Sequence, residues 1–462
     1  MPSIAVLSFA NLSADPENQY FCDGLAEELL NALAKVRGLK VVARTSAFSF
    51  KGKDVKVSEI GQALSVNTVL EGSVRKAGNR LRITVQLINV ADGYHLWSER
   101  YDRQMENIFD VQDEITLAVV DALKLKLLGE EKAVVLKRYT ESAEAYQLYL
   151  KGRYFWWKTE AKEFAKSCDY FQRAVDADPT FGLGYCGLSG YYGVSAARGM
   201  LPSNEGWQRA EAALVKALEL DDTLPEVHNN LAATRMFYHR DWAGAESAIK
   251  RAIELDPKYA EAHTLYPFCL APMRRFDEAI TEGQMALALD PLSPRIKHNL
   301  GNIFHYARRY DEAVRQYLEV LELEPNSRVV HQDLGDTYEQ KGLHAEAVAE
   351  WQHAMRLAGD EELATTIGNA LAESGIDGAV RAMALNRIER LHETERGEYV
   401  PAVEYARAYV RLSDIEQAFK WLEQACEERT IFSLFINVDP FYDPLRSDPR
   451  FADLMRRVGL PQ

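Results

Sequence analysis

The sequence predicts an α+β architecture: a small N-terminal α/β domain with a partly antiparallel sheet, then an all-α superhelical solenoid. Three observations predict it. Leu81, Ile83, Val85 and Leu87 alternate with Arg80, Arg82, Thr84 and Gln86, the period of a strand with one buried face. Strands and amphipathic helices alternate through residues 1–130. Beyond them, Pro257, Pro291 and Pro325 recur at a constant step of 34 residues, the mark of a repeat. The expected divisions are 1–130, 131–435 and a capping tail over 436–462.

The elements follow in order. "SIAVLSF" reads as a first strand. In the next stretch Phe21, Leu25, Leu29, Leu33 and Val36 recur at three and four, one face of a helix, with Gly38 as its breaker. "KVVAR" is a short second strand, and "KVSEIGQAL" a helix with Ser58 as its candidate cap. Val69–Val74, the alternating run, and Tyr94–Tyr101 form three antiparallel strands joined by turns at Gly78-Asn79 and Asp92-Gly93. Their arginines then stand on the solvent face beside Glu99 and Asp102. "NIFDVQDEITLAVVDALKLKLL" closes the domain as a helix.

Two loops beyond strand ends suggest a small-molecule crevice lined by Asn11, Ser13, Arg44, Thr45 and Ser46. Neither GxGxxG nor GxxxxGK[ST] occurs, and turn and cap hydrogen bonds explain the same residues equally.

"IAVLSFANLSADPENQYFCDGLAEELLNAL", "VVARTSAFSFKG" and "VLEGSVRKAGNRLRITVQLINVADGYHLWSERYDR" together resemble the bacterial TolB-like amino-terminal domain, over residues 2–128. That family joins the domain to tetratricopeptide repeats and often places it after a class III nucleotide cyclase or a winged-helix DNA-binding domain; neither is found ahead of it here. The resemblance implies signalling company and supplies no catalytic residues.

The solenoid is readable inside one unit. In residues 294–327, Leu300-Gly301 and Ala313 let two helices approach, and Tyr317, Val320 and Leu321 continue the buried side. Pro325 starts the link, because it cannot extend a helical ladder. The next unit repeats this with Leu334-Gly335, Ala347 and Trp351. The period resembles the tetratricopeptide repeat (TPR), with seven or eight helical pairs expected. Pro267 stands where a small residue is usual, and 361–397 is a weakened pair. "INVDPFYDPLRSDPRFADLMRRVGLP" is expected to cap the last helices.

Composition narrows the function. Residues 1–126 carry 15 Lys and Arg against 16 Asp and Glu, so the net charge of −15 lies almost wholly in the repeats and argues against nucleic acid. No apolar run reaches the 18 or so residues that cross a membrane. The N-terminus lacks a basic leader, and the five scattered cysteines suit a reducing cytoplasm. GxSxG, HExxH and kinase signatures are missing, so no catalytic residue, cofactor or metal site is expected and the chain reads as not an enzyme. The expected function is a scaffold or regulatory module that binds a protein or peptide in the concave groove. Its expected contacts are Asn230, Thr234 and Phe237; Thr264 and Phe268; Arg295, His298, Asn302 and His305; and Gln332 and Asp336. The alternatives are a small-molecule sensor using the N-terminal crevice, and an enzyme with an unrecognised active site. A homodimer paired through a sheet edge is a further expectation.

Overall fold

The computed structural model describes residues 1–127, 129–158, 160–395, 400–428 and 434–460. Leu128 of the third expected helix, the end of the weak pair at 396–397, and the last two residues of the tail lie outside them.

The N-terminal sheet has the order β3-β1-β4-β5-β6, with β2 also on β4. Its strands are β1 Ser3–Val6, β2 Ala10–Asn11, β3 Lys40–Val41, β4 Thr68–Ala77, β5 Arg80–Asn89 and β6 His95–Gln104. β1 runs parallel to β3 and β4, and β4, β5 and β6 form the antiparallel meander. The period-two reading sets the register: Leu81, Ile83, Val85 and Leu87 are buried, and Arg82 meets Asp102 on the exposed face at 2.8 Å. The edge strand β6 exposes Glu99, Arg100, Asp102 and Arg103, charges that discourage pairing along this edge.

Four helices accompany the sheet: α1 Gln19–Ala34, α2 Arg44–Phe48, α3 Val57–Leu64 and α4 Ile108–Ala122. Two local expectations change. The stretch after β3, read as a loop, forms α2. Ser58 lies inside α3, whose cap is Lys56 in extended conformation; no side chain caps it.

From α5, Gly129–Val135, the chain is helical. Antiparallel pairs follow: α6 Ala143–Trp156 with α7 Ala161–Ala177, α8 Gly182–Ala197 with α9 Ser203–Leu220, α10 Pro225–Ala233 with α11 Trp242–Leu255, and α12 Ala260–Leu270 with α13 Phe276–Leu289. α14 Pro294–Tyr306 pairs with α15 Tyr310–Leu323, and α16 Arg328–Gln340 with α17 His344–Leu357. The weakened stretch is α18 Glu361–Glu395, broken at Gly375, whose φ of 69° and ψ of −164° only glycine adopts readily. α19 Ala402–Arg411, α20 Ile415–Glu428 and α21 Pro449–Arg457 end the array. The whole is an N-terminal β-rich unit followed by a long TPR-type solenoid.

A repeated device builds the central pairs. A Cβ on Gly301 would lie 2.6 Å from the Tyr317 ring, and one on Gly335 2.5 Å from the Trp351 ring. Each ring is anchored one residue further along the first helix: Tyr317 Oη donates to Asn302 at 2.6 Å, and Trp351 Nε1 to Asp336 at 2.9 Å. Two histidines act alike. His263 bridges Glu282 and the Pro257 carbonyl, and His331 bridges Glu350 and the Pro325 carbonyl. These ties satisfy the Pro257 and Pro325 carbonyls in the links between repeats.

The head and the first repeats share one core. It runs from Ile4, Leu70 and Ile83 through Leu25 and Leu29 of α1 to Tyr149, Phe171, Leu183 and Val227 of the repeats. Gly24 makes this possible, since a Cβ there would sit 2.8 Å from Leu150 of α6. Further along, Lys258 Nζ donates to the carbonyls of Ala34, Val36 and Leu39 at 2.8 to 3.0 Å, capping the end of α1 with a positive charge.

Candidate functional site

The first candidate region is the seam between head and solenoid. Glu27 of α1 is 5% exposed and meets Arg44 of α2 at 2.8 Å and Arg153 of α6. Burial opposes the charge on Glu27, but Arg153 and Arg44 outweigh it and hold the carboxyl below its usual range. Arg44 also lies over the rings of Phe48 and Trp157, at 4.5 and 4.9 Å. Ser46 is fully buried: it donates to Asp290 and accepts from the Leu292 backbone at 2.7 Å.

The five residues expected to line a crevice are engaged as follows. Asn11 and Ser13 serve the first loop, with Asn11 accepting from the Ser13 backbone and Ser13 from the Lys76 backbone, both at 2.9 Å. Arg44 and Ser46 face the solenoid, and Thr45 shares Asp290 with Ser46. Neither pocket described below is lined by any of the five. Ser46→Ala is expected to cost about 1–3 kcal/mol, because the buried Leu292 N–H and Asp290 lose their partner. A urea midpoint unchanged by that substitution would contradict the seam.

Beside Glu27, Glu28 lines a pocket of about 60 Å³ with Tyr139, Tyr146, Tyr149 and Gln112. Burial first, and Glu27 second, push its carboxyl up to about 7, against Lys35 and Arg153. The folded value thus exceeds the unfolded 4.5, so the stability this group contributes is complete below 4.5 and lost as pH rises through 7. Glu28→Gln is expected to be neutral near pH 4 and to stabilise by about 2 kcal/mol near pH 8. Denaturation at both pH values reads it; the same gain at each would show that ionisation plays no part.

The second region is the concave side of the solenoid. A pocket of about 200 Å³ lies between α14, α16, α19 and residues 439–441. His298, Asn302, His305 and Asp336 line it, four of the eleven residues expected on the groove. Its walls add Asp333, Glu339, Glu404 and Asp439, against Arg407. His298 binds Asp333 at 2.6 Å, and His305 binds Thr337 at 2.8 Å. Burial pushes the His305 pKa down, while Asp439, Asp336 and Asp333 oppose the shift. Gln332 donates to Asp336 at 3.1 Å.

The other expected contacts are placed differently. Asn230 donates to the Cys186 carbonyl at 2.9 Å, and Thr234 and Thr264 bond back to Asn230 and Ala260 on their own helices. Phe237 stacks on Trp207 at 5.8 Å. Arg295 is exposed and lines neither pocket. Phe268 meets Phe435 of the tail edge-on at 5.6 Å.

That contact exposes what the sequence reading missed. Residues 434–440 are all buried, and they turn into the concave side before α21 caps α20. Phe435 stacks on Tyr306 at 5.0 Å, and Asn437 Nδ2 donates to the Pro272 carbonyl at 2.7 Å. Asp439 lies 3.5 Å from Arg407 and 3.9 Å from His305. Arg411 bridges Asp336 and Glu339 across the groove at 2.8 and 2.7 Å. The signal available was the i, i+4 spacing of Arg407 and Arg411 on one helix face.

The fold is thus a TPR-type solenoid, a form that offers protein segments an extended concave surface. Tetratricopeptide repeat models match residues 230–294 and 294–327. Residues 1–118 match the second domain of HilA/YgeH-like transcriptional regulators, which corrects the TolB-like resemblance. The chain is 38% identical over 242 residues to "Putative adenylate cyclase 3" of Rhizobium meliloti (strain 1021), covering 52% of this chain and 41% of that protein. The chain therefore spans well under half of this curated relative. The expectation that the chain is not an enzyme is overturned by that likeness to a protein named as a cyclase. Among solved structures it is similar to YrrB, titled a TPR protein with an unusual peptide-binding site, at 19% identity and a TM-score of 0.31, covering 43% of this chain and 97% of that one. It is also similar to a thermophilic TPR protein of Thermus thermophilus, at 18% identity and a TM-score of 0.36, covering 42% and 98%. Among the described residues no helix is long and apolar enough to cross a membrane, and no group of His, Cys, Asp and Glu is arranged for a metal ion.

Proposed function

We propose that this chain is a protein-binding, regulatory part of a nucleotide-cyclase signalling protein, and that the concave face from α12 to α19 holds a partner segment. The observation that supports it is that this face already holds polypeptide: residues 434–440 lie buried there between aromatic rings, a backbone carbonyl and an arginine. A segment of mixed charge fits best. Arg407 suits a carboxylate, and the wall of Asp333, Asp336, Glu339 and Glu404 suits a lysine or arginine. The test is a displayed library of short segments panned against the full chain. Selected segments are expected to carry both charges and to weaken at least about tenfold on Arg407→Ala. Selection indifferent to Arg407→Ala and Phe268→Ala would remove the groove.

The 38% identity to a putative adenylate cyclase favours a second reading, that the chain itself forms cyclic AMP from ATP. Incubation of the purified chain with ATP and Mg²⁺ or Mn²⁺, followed by chromatography of the products, decides it. Cyclic AMP formed in proportion to protein would carry this reading, and its absence would leave catalysis outside this chain.

A further inference from the structure

Resting on the reading that the concave face binds a protein segment, we infer that residues 434–441 are an internal ligand of that face. The external partner carries the same chemistry: an aromatic residue, an amide two positions on, a carboxylate at four and a second aromatic at six.

The spacing is read directly from what each side chain meets. Phe435 enters between Phe268 and Tyr306, at 5.6 and 5.0 Å. Asn437 Nδ2 donates to the Pro272 carbonyl at 2.7 Å. The Asp439 carboxylate lies 3.5 Å from Arg407, a charge-assisted contact at the mouth of the acidic pocket. Phe441 lies under the guanidinium groups of both Arg407 and Arg411, at 4.4 and 5.1 Å. The four side chains thus meet four separate partners from a turn, in which the Phe435 carbonyl accepts from the Val438 and Asp439 N–H groups at 2.9 and 2.8 Å, that leads into a short 3-10 helix at Pro440–Leu445.

Two features separate this segment from ordinary core. It is not helical over 436–439, in an array otherwise built of paired helices. And it reaches α12 and α14 from the far end of the chain; its hydrogen bond to Pro272 spans 165 residues. The tail stays covalently tied through α21, whose Phe451, Leu454 and Met455 pack with Phe419 and Leu422 of α20. A foreign segment of the same pattern therefore competes with a tethered one, and its apparent affinity falls by the fraction of time the face is free.

The test uses the full chain and a fluorescent peptide with the sequence of residues 434–446. Phe435→Ala/Asp439→Ala loosens the internal copy. The loosened chain is expected to bind the peptide at least about tenfold more tightly than the unaltered chain, and Phe268→Ala added to it is expected to abolish that gain. Equal affinity for both chains overturns the inference. So does a peptide-insensitive dimer formed on loosening, which would put a second copy on the face. Hydrogen exchange of the unaltered chain covers the case in which the loosened chain unfolds. Local release requires the amides of 434–438 to exchange at least about 100-fold faster than those of α16; exchange only through global unfolding makes the segment fixed core and ends the proposal. Panned segments that bind both chains equally would sink this inference while leaving the concave-face reading intact.

Discussion

Glu27→Leu is expected to destabilise the protein by about 3–5 kcal/mol, the cost of breaking a buried ion pair by removing one partner. The carboxylate is 5% exposed and answers two cations, Arg44 from the head and Arg153 from the first repeat. Leucine matches its volume roughly and leaves both guanidinium groups facing each other in a dry seam. Arg44 keeps some compensation from the rings of Phe48 and Trp157, so Arg153 carries most of the penalty. Glu27→Leu/Arg153→Met is accordingly expected to recover at least half of the loss, because it removes the stranded charge. Urea denaturation of the three proteins measures both numbers. A single variant within about 0.5 kcal/mol of the original would mean that the seam is wet.

Periodic features were legible and returning ones were not. The alternation at 81–87 and the 34-residue step depend on local sequence, so they fixed the sheet face and the repeat pairs. Gly301 and Gly335 were readable as points of close approach because each faces a large ring one helix later. Asn302 and Asp336 were readable as polar positions on the concave side, but not as anchors for Tyr317 and Trp351. Arg44 and Ser46 looked like a ligand crevice because their partners, Glu27 and Asp290, are fixed by docking and not by sequence neighbourhood. The tail carried no period, and its contacts with Phe268 and Tyr306 span more than a hundred residues, so it read only as a cap. The TolB-like resemblance over residues 2–128 gives way to the match with HilA/YgeH-like regulators over 1–118, while the non-enzyme reading rested on missing motifs, and the likeness to a putative cyclase rests on similarity along 242 residues.

Trp351→Ala is expected to cost about 3–5 kcal/mol, through the lost transfer energy of a large ring and the cavity it leaves. Trp351 is fully buried among Ala347, Val348, Leu363, Ile367 and Ala379. The cavity cannot close easily, because Gly335 contributes no side chain to fill it. Its indole N–H holds Asp336, and Arg411 lies 4.9 Å over its ring. In an open solenoid each repeat contacts only its neighbours, so the damage would stay within α16–α18. This solenoid is closed by Arg411 bridging Asp336 and Glu339, and by the tail running from α14 to α19. Loss of Trp351 is therefore expected to raise hydrogen exchange in α19 and in residues 434–440 together with α16–α18. The head, anchored to the first repeats by Glu27 and Arg153, should keep its protection. Exchange confined to α16–α18 would mean that the tail and Arg411 do not close the ring. Exchange rising equally in α1 and α4 would mean that the chain unfolds as a single cooperative unit.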